Sequence, residues 1–187
     1  LRARCDAVIV GGGTVRADDP LLTSRGRRSP EPLRVVLSRS LELPESAQLW
    51  QPSTAPTLVA HATAEAVALE SQLNRMAALK AKGVELQTLE RSEPEQLLPE
   101  LARRGCNRVL WECGPALAAA ALQQGCVQEI AAVIAPKLLG GELARTPLGE
   151  LGFKAMDQVL RLNCEPGRSL GQDLLLQAQL SASAAPN

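Results

Sequence analysis

Val8-Ile9-Val10-Gly11-Gly12-Gly13-Thr14-Val15-Arg16-Ala17-Asp18-Asp19-Pro20, VIVGGGTVRADDP, runs from an apolar segment through three glycines and a hydroxyl into two carboxylates and a proline. A short β-branched run closed by glycine reads as a buried strand. Glycine at such a strand end lets backbone N–H groups come close to a ligand, and a helix start there adds partial positive charge that favours phosphate. A second stretch of this kind, Glu112-Cys113-Gly114-Pro115-Ala116, follows Trp111. Neither matches the G-x-G-x-x-G dinucleotide pattern, and each alone reads equally well as a tight turn without a ligand. In open α/β sheets ligands sit beyond the carboxyl ends of parallel strands, so the fold turns on whether these two stretches are strand ends.

The flanking sequence supports that reading. Residues 6–10, 33–37, 57–60, 84–89, 107–111 and 129–134 are short β-branched or leucine-rich runs that read as strands. Between them the spacing predicts a helix over 64–82, with Leu69, Leu73, Met76 and Leu79 on one face and a stop at Gly83. Ser92-Glu93-Pro94-Glu95 reads as a capping box opening a second helix that stops at Gly105. Gly114-Pro115 opens an alanine-rich third, closed by Gly125, with proline in the first turn where its missing N–H costs nothing. This alternation implies parallel pairing by right-handed crossovers. Residues 158–164 and 173–180 read as strands joined by a hairpin-like connection, Glu165 to Gly171, that would add an antiparallel edge. The expected organisation is one domain over 1–180 and a flexible small-residue tail over 181–187.

Composition narrows the function. Hydrophobic residues make up 45% of the 187 and charged residues 21%, with 20 basic against 20 acidic side chains, so an ordinary globular core is expected. A neutral total argues against a nucleic-acid partner, whose affinity rests on clustered cationic charge. Residues 1–40 nevertheless hold eight arginines against four acids, a local excess that suits small phosphorylated ligands. The five cysteines are odd in number and form no C-x-x-C pair, which points away from a disulfide framework or a zinc site and towards a reducing, cytoplasmic setting. No run reaches the roughly 20 apolar residues of a membrane helix, and no targeting segment is visible. Leu1-Arg2-Ala3-Arg4-Cys5-Asp6 reads like the end of a helix entering a strand, as expected for a piece of a longer chain. The only histidine, His61, reads as structural. Glu112, beside a glycine and a helix start, suits either a polar substrate or the cap of the next helix. Asp18-Asp19-Pro20 alone is common turn chemistry.

The ordered run from Asp6 to Arg25, DAVIVGGGTVRADDPLLTSR, resembles the riboflavin-biosynthesis reductase domain, the C-terminal half of bacterial bifunctional deaminase/reductases. In that family a strand and a small-residue turn precede TV-x-ADDP-x-LT-x-R. The run from Val109 to Gly141, VLWECGPALAAAALQQGCVQEIAAVIAPKLLGG, is similar to the family's second motif, and its WECG is similar to cyanobacterial and plant members. The resemblance spans nearly the whole chain. It implies a dihydrofolate-reductase-like α/β fold, a mixed, mostly parallel sheet flanked by helices with a C-terminal antiparallel hairpin, and NADPH across the strand ends. It also implies a strand and helix ahead of Leu1 that contribute an A-x-S-x-D-G segment and a lysine to the site.

By position, the resemblance makes Thr14 and Asp18 cofactor-binding, together with the turn and helix start Gly114, Pro115, Ala116, Leu117, Ala118, Ala119 and Ala120. Arg2, Leu22, Arg25 and Glu112 match residues that contact the phosphoribosylamino-pyrimidine substrate. Two departures stand out. Cys113-Gly114-Pro115-Ala116 lacks the family's threonine, and Ser38-Arg39 replaces an Asp-led pair, leaving Arg39 as the candidate for the adenosine 2′-phosphate. The implied function is NADPH-dependent reduction of the ribosyl side chain of 5-amino-6-(5-phosphoribosylamino)uracil to ribityl, in a homodimer, with a deaminase domain in the parent chain. No side chain is assigned a catalytic role and no metal is expected, because the cofactor carries the chemistry. Two alternatives stay open: a related pyrimidine or pteridine reductase, or a non-catalytic nucleotide-binding module of a larger polypeptide. Arg2 and Arg25 suit a phosphate-bearing substrate, and with only two tryptophans, one phenylalanine and no tyrosine a stacking-dependent substrate is poorly served.

Overall fold

β1 (Ala7–Gly11), β2 (Leu33–Leu37), β3 (Thr57–Ala62), β4 (Glu85–Leu89) and β5 (Val109–Trp111) form a parallel sheet in the order β4-β3-β2-β1-β5. The computed structural model describes residues 1–63, 69–141, 144 and 146–180. Among the described residues four α-helices pack on the sheet: α1 (Gly12–Asp18), α2 (Leu69–Ala81), α3 (Pro94–Arg103) and α4 (Pro115–Gln123). The two-residue period of β1 divides the core. Val8 and Val10 pack with Val36, Val59, Val15 of α1 and Leu79 of α2, whereas Ala7 and Ile9 face the other way onto Val35, Leu58 and Leu97 and Leu101 of α3. With both faces covered, β1 is a continuous apolar run, whereas the edge strand β4, Glu85-Leu86-Gln87-Thr88-Leu89, alternates and buries only Leu89. Burying each such valine or leucine contributes roughly 1.5–3 kcal/mol.

This order places the functional end. From β1 the chain moves to β2 on one side, and it returns to β5 on the other, so the direction of winding reverses between β1 and β5. Helices leave the carboxyl ends of these two strands on opposite faces, and a crevice opens between them.

The mostly parallel α/β sheet with its flanking helices agrees with the alternation in the sequence, but three details differ. β6 (Glu129–Ile134), β7 (Leu162–Cys164), β8 (Arg168–Leu170) and β9 (Asp173–Leu180) make a separate antiparallel sheet rather than an added edge. β9 uses one edge on β6, from Glu129↔Gln179 to Ile134↔Leu174, and the other on β7 and then β8. No edge of β9 is left for the parallel sheet. In α2 the buried face carries Gln72 and Leu79 with Met76 partly covered, while Leu69 and Leu73 are 39% and 53% exposed. The expected start of this helix at 64–68 lies outside the described residues, as does the 181–187 tail. The capping box also fails: Glu93, not Ser92, is the N-cap of α3, and it makes no capping bond, its carboxylate accepting from Gln124 Nε2 instead, while Gln124 Oε1 takes the Glu95 N–H at 3.0 Å.

Candidate functional site

The three glycines are not a loop. Gly11 is the N-cap of α1, and Gly12 and Gly13 form its first turn. Packing is tight at Gly12, where a Cβ would sit 3.0 Å from Ser38 Oγ and 3.3 Å from Leu43 Cδ2, so both side chains would have to give way. At Gly13 a Cβ would meet nothing within 4 Å, so its backbone is bare. The second stretch repeats the arrangement, with Gly114 as the N-cap of α4 and Pro115 at its first position. The pairing of β1 with β5 brings the two helix starts together, and a Cβ on Gly114 would lie 3.4 Å from Thr14 Oγ1. The first α4 bond runs from Ala118 N–H to Gly114 C=O at 3.1 Å, leaving the N–H groups of Ala116 and Leu117 without a partner inside the helix.

Between these starts lies a cleft of about 450 Å³ lined by Val10, Thr14, Asp18, Pro20, Leu22, Trp111, Glu112, Cys113 and Gly114. Thr14, Asp18, Leu22, Glu112 and Gly114 thus come together as expected from the sequence. Val10, Pro20, Trp111 and Cys113 are further lining residues, whose signal was adjacency to the two motifs. The Trp111 ring is held by its Nε1–H donating to Cys126 C=O at 3.1 Å. Burial pushes the Cys113 thiol up to about 11, so it is protonated at neutral pH and offers no thiolate.

Glu112 is not a helix cap. Its carboxylate accepts two bonds from Arg2, Nε at 2.8 Å and Nη2 at 2.5 Å, while Arg2 Nη1 donates to Thr23 C=O at 3.1 Å. The Glu112 hydrogen bond raises the Arg2 pKa against the opposing effect of burial. Arg2, which is not itself among the lining residues, thus ties Glu112 to the backbone of Thr23 beside Leu22. The acidic pair divides its labour. Asp19, with φ 39, closes α1 by donating its N–H to Val15 C=O at 3.2 Å, and its carboxylate accepts from Gln48 N–H at 2.9 Å and Gln48 Nε2 at 3.1 Å. Asp19 thus fixes the turn, which leaves Asp18 facing the cleft.

Other expected residues lie elsewhere. Arg25, exposed and with φ 58, and Arg39, exposed just beyond β2, are both outside the cleft lining. Past Gly114, the run Pro115, Ala116, Leu117, Ala118, Ala119 and Ala120 leads away from the cleft: Ala119 is buried and Leu117 packs on the core. The arginine excess is also less available than a count implies. Arg34 is fully buried, donating to the carbonyls of Gln51 and Ala55 at 2.8 and 2.6 Å; Arg28 is held by Cys5 C=O and Asp6; Arg16 donates to Glu42 C=O at 2.7 Å. His61 is buried between Ala62 C=O at 3.0 Å and Thr88 Oγ1 at 3.3 Å, away from the cleft. Among the described residues no group of three or more His, Cys, Asp or Glu could hold a metal ion, and no helix is long and apolar enough to cross a membrane.

Residues 1–176 match the RibD C-terminal domain family. The chain belongs to that family. It is 47% identical over 180 residues to the riboflavin biosynthesis protein RibD of Synechocystis, covering 96% of this chain and 47% of the relative. It is 31% identical over 179 residues to an Aquifex aeolicus protein named 2,5-diamino-6-ribosylamino-4(3H)-pyrimidinone 5′-phosphate reductase, covering 95% of this chain and 77% of that one. The structure of Acinetobacter baumannii RibD superposes with a TM-score of 0.78 at 31% identity, covering 96% of this chain and 48% of that one. The chain thus spans about half the length of these RibD proteins. The Synechocystis match agrees with the cyanobacterial character of WECG, and within the RibD C-terminal domain the cleft described above lies between the two family motifs.

Proposed function

We propose that this domain reduces a ribosylamino-pyrimidine 5′-phosphate, 5-amino-6-(5-phosphoribosylamino)uracil, to its ribityl product at the expense of NADPH. The observation that supports this most is the shared cleft, in which two glycine-opened helix starts at paired strand ends meet Glu112, itself held by Arg2. The bare backbone at Gly13 and the Ala116 and Leu117 N–H groups, which have no partner within α4, suit an anionic dinucleotide. Thr14, Asp18 and the α4 start would hold it, and Arg39 would meet its 2′-phosphate. When bound, a reduced nicotinamide supplies the hydride that goes to the sugar C1′. The chain's own residues orient and desolvate: Leu22 and Trp111 give the cleft an apolar wall, Glu112 accepts hydrogen bonds from the pyrimidine, and Arg2 and Arg25 supply cationic charge for the phosphate.

In the same proposal the domain works as a homodimer in the cytoplasm, with a deaminase domain in the parent chain. The test is steady-state oxidation of NADPH and of NADH by the intact parent protein with the phosphorylated substrate, the ribityl product being identified by mass. Cofactor binding without substrate-dependent oxidation would overturn the assignment. Equal KM values for the two cofactors would remove the 2′-phosphate contact.

A further inference from the structure

Glu31 lies in the connection that leads to β2, and neither motif includes it. Its carboxylate reaches back along the chain, with Oε2 accepting from the Ser24 N–H at 2.5 Å and Oε1 from the Ser24 hydroxyl at 2.8 Å. The Ser24 hydroxyl oxygen in turn accepts from the Arg28 N–H at 3.0 Å. Bonds from Ser24 and from the Gly26 N–H hold the Glu31 carboxyl below its usual range, so it is ionised whenever the enzyme works.

This brace closes around a strained segment. Leu22 and Arg25, neither of them glycine, have φ of 55 and 58, in the left-handed region that is unfavourable for a residue with a side chain. Such residues keep that conformation only where their surroundings impose it. Between them, Thr23 C=O receives Arg2, and Leu22 forms part of the cleft wall. One carboxylate therefore sets a wall of the cleft, the anchor of Arg2 and the direction in which Arg25 leaves the backbone.

We propose that Glu31 is a positioning residue that holds the 22–28 loop in the conformation that receives the phosphate end of the substrate. This rests on the functional reading above. An amide in its place keeps one oxygen for the Ser24 N–H and turns its NH2 toward the Ser24 hydroxyl, which can accept, but it loses the charge that strengthens both bonds. Glu31→Gln therefore weakens both arms of the brace, and Ser24→Ala releases the hydroxyl arm alone.

The experiment uses both variants in the intact parent protein, with kinetics on the 5′-phosphorylated substrate and its dephosphorylated analogue and amide hydrogen exchange over 22–28. For Glu31→Gln, KM for the phosphorylated substrate is expected to rise about tenfold, with kcat and cofactor KM within twofold and little change for the analogue. Ser24→Ala should show a smaller shift of the same kind, and it carries the test if Glu31→Gln does not fold. Exchange across 22–28 should accelerate in both. An equal loss on both substrates, or unchanged exchange, overturns the proposal. If the unaltered protein reduces neither substrate, the functional reading fails instead, and the exchange data still decide whether Glu31 orders the loop.

Discussion

Replacing Glu112 by glutamine separates a substrate-binding role from a structural one. In the structure the carboxylate takes two Arg2 N–H bonds, and the side chains of Arg2 and Glu112 are 23% and 42% exposed. An ion pair this open to water contributes only about 0.5–1 kcal/mol to folding. For a domain of this size that corresponds to a fall in Tm of roughly 1–4 °C. Substrate binding should suffer more, because the amide loses the negative charge and one acceptor. A lost charge-assisted hydrogen bond is worth about 1.5–3 kcal/mol, so substrate KM should rise roughly ten- to hundredfold. Cofactor affinity should stay within about twofold, since the helix starts at Thr14 and Gly114 make no contact through this carboxylate. The assay combines steady-state kinetics, cofactor titration by quenching of Trp111 fluorescence, and thermal melts of the intact parent protein. A cofactor Kd that rises with the substrate KM would refute the reasoning. So would a Tm drop near 10 °C with substrate affinity intact, which would make the Arg2–Glu112 pair purely structural.

Five further substitutions test the phosphate end, the α1 start and the folding role of Asp6. Arg25→Lys should raise substrate KM about tenfold at unchanged Tm, because lysine cannot reproduce bidentate phosphate pairing, and Arg27→Lys should change neither quantity. Arg28→Lys should instead lower Tm, since Arg28 holds Cys5 C=O and Asp6; identical KM values for the Arg25 and Arg27 variants would exclude Arg25 as the phosphate anchor. Gly13→Ala should stabilise the fold by about 0.5–1 kcal/mol through helix propensity while weakening NADPH binding, because the added methyl meets nothing in the protein and would occupy the space left for the cofactor; a higher Tm with unchanged cofactor Kd would refute that. Asp6 accepts from the Arg108 N–H at 3.0 Å, the Asn107 N–H at 2.9 Å and Arg28, and these bonds hold it below its ordinary value of 3.8. Its stabilising contribution is thus present above that value and lost as pH falls through the lower folded value, so the Tm gap between the protein and Asp6→Asn should be full at neutral pH and close in strong acid. A gap independent of pH would show that the charge is not what matters.

The parallel layers and the place of the site were legible because their signals are local. A β-branched run ending in glycine, followed by a helix start, carries its meaning within a dozen residues, and this happens twice, at Gly11 and Gly114. Thr14 and Asp18 stood out through the resemblance of the ordered run 6–25 to the family motif, and Glu112 through its place beside a glycine and a helix start, while parallel strands must end on the same side. The rest depended on partners far away in the chain. Gln48, folded against the end of α1, is what gives Asp19 its structural role. Arg2 and Glu112 are 110 positions apart, so their pairing exists only after β1 and β5 align. The arginine count likewise could not show that Arg34 lies inside the core or that Arg28 is tied to Asp6, because a count of charges carries no information about which backbone carbonyls fold around them. Periodicity identified β9 as a strand, but a strand has two edges and its residues do not choose between them. That choice went to β6 on one side and to β7 and β8 on the other, because every buried backbone N–H and C=O needs a partner and only the assembled fold determines which partner is within reach.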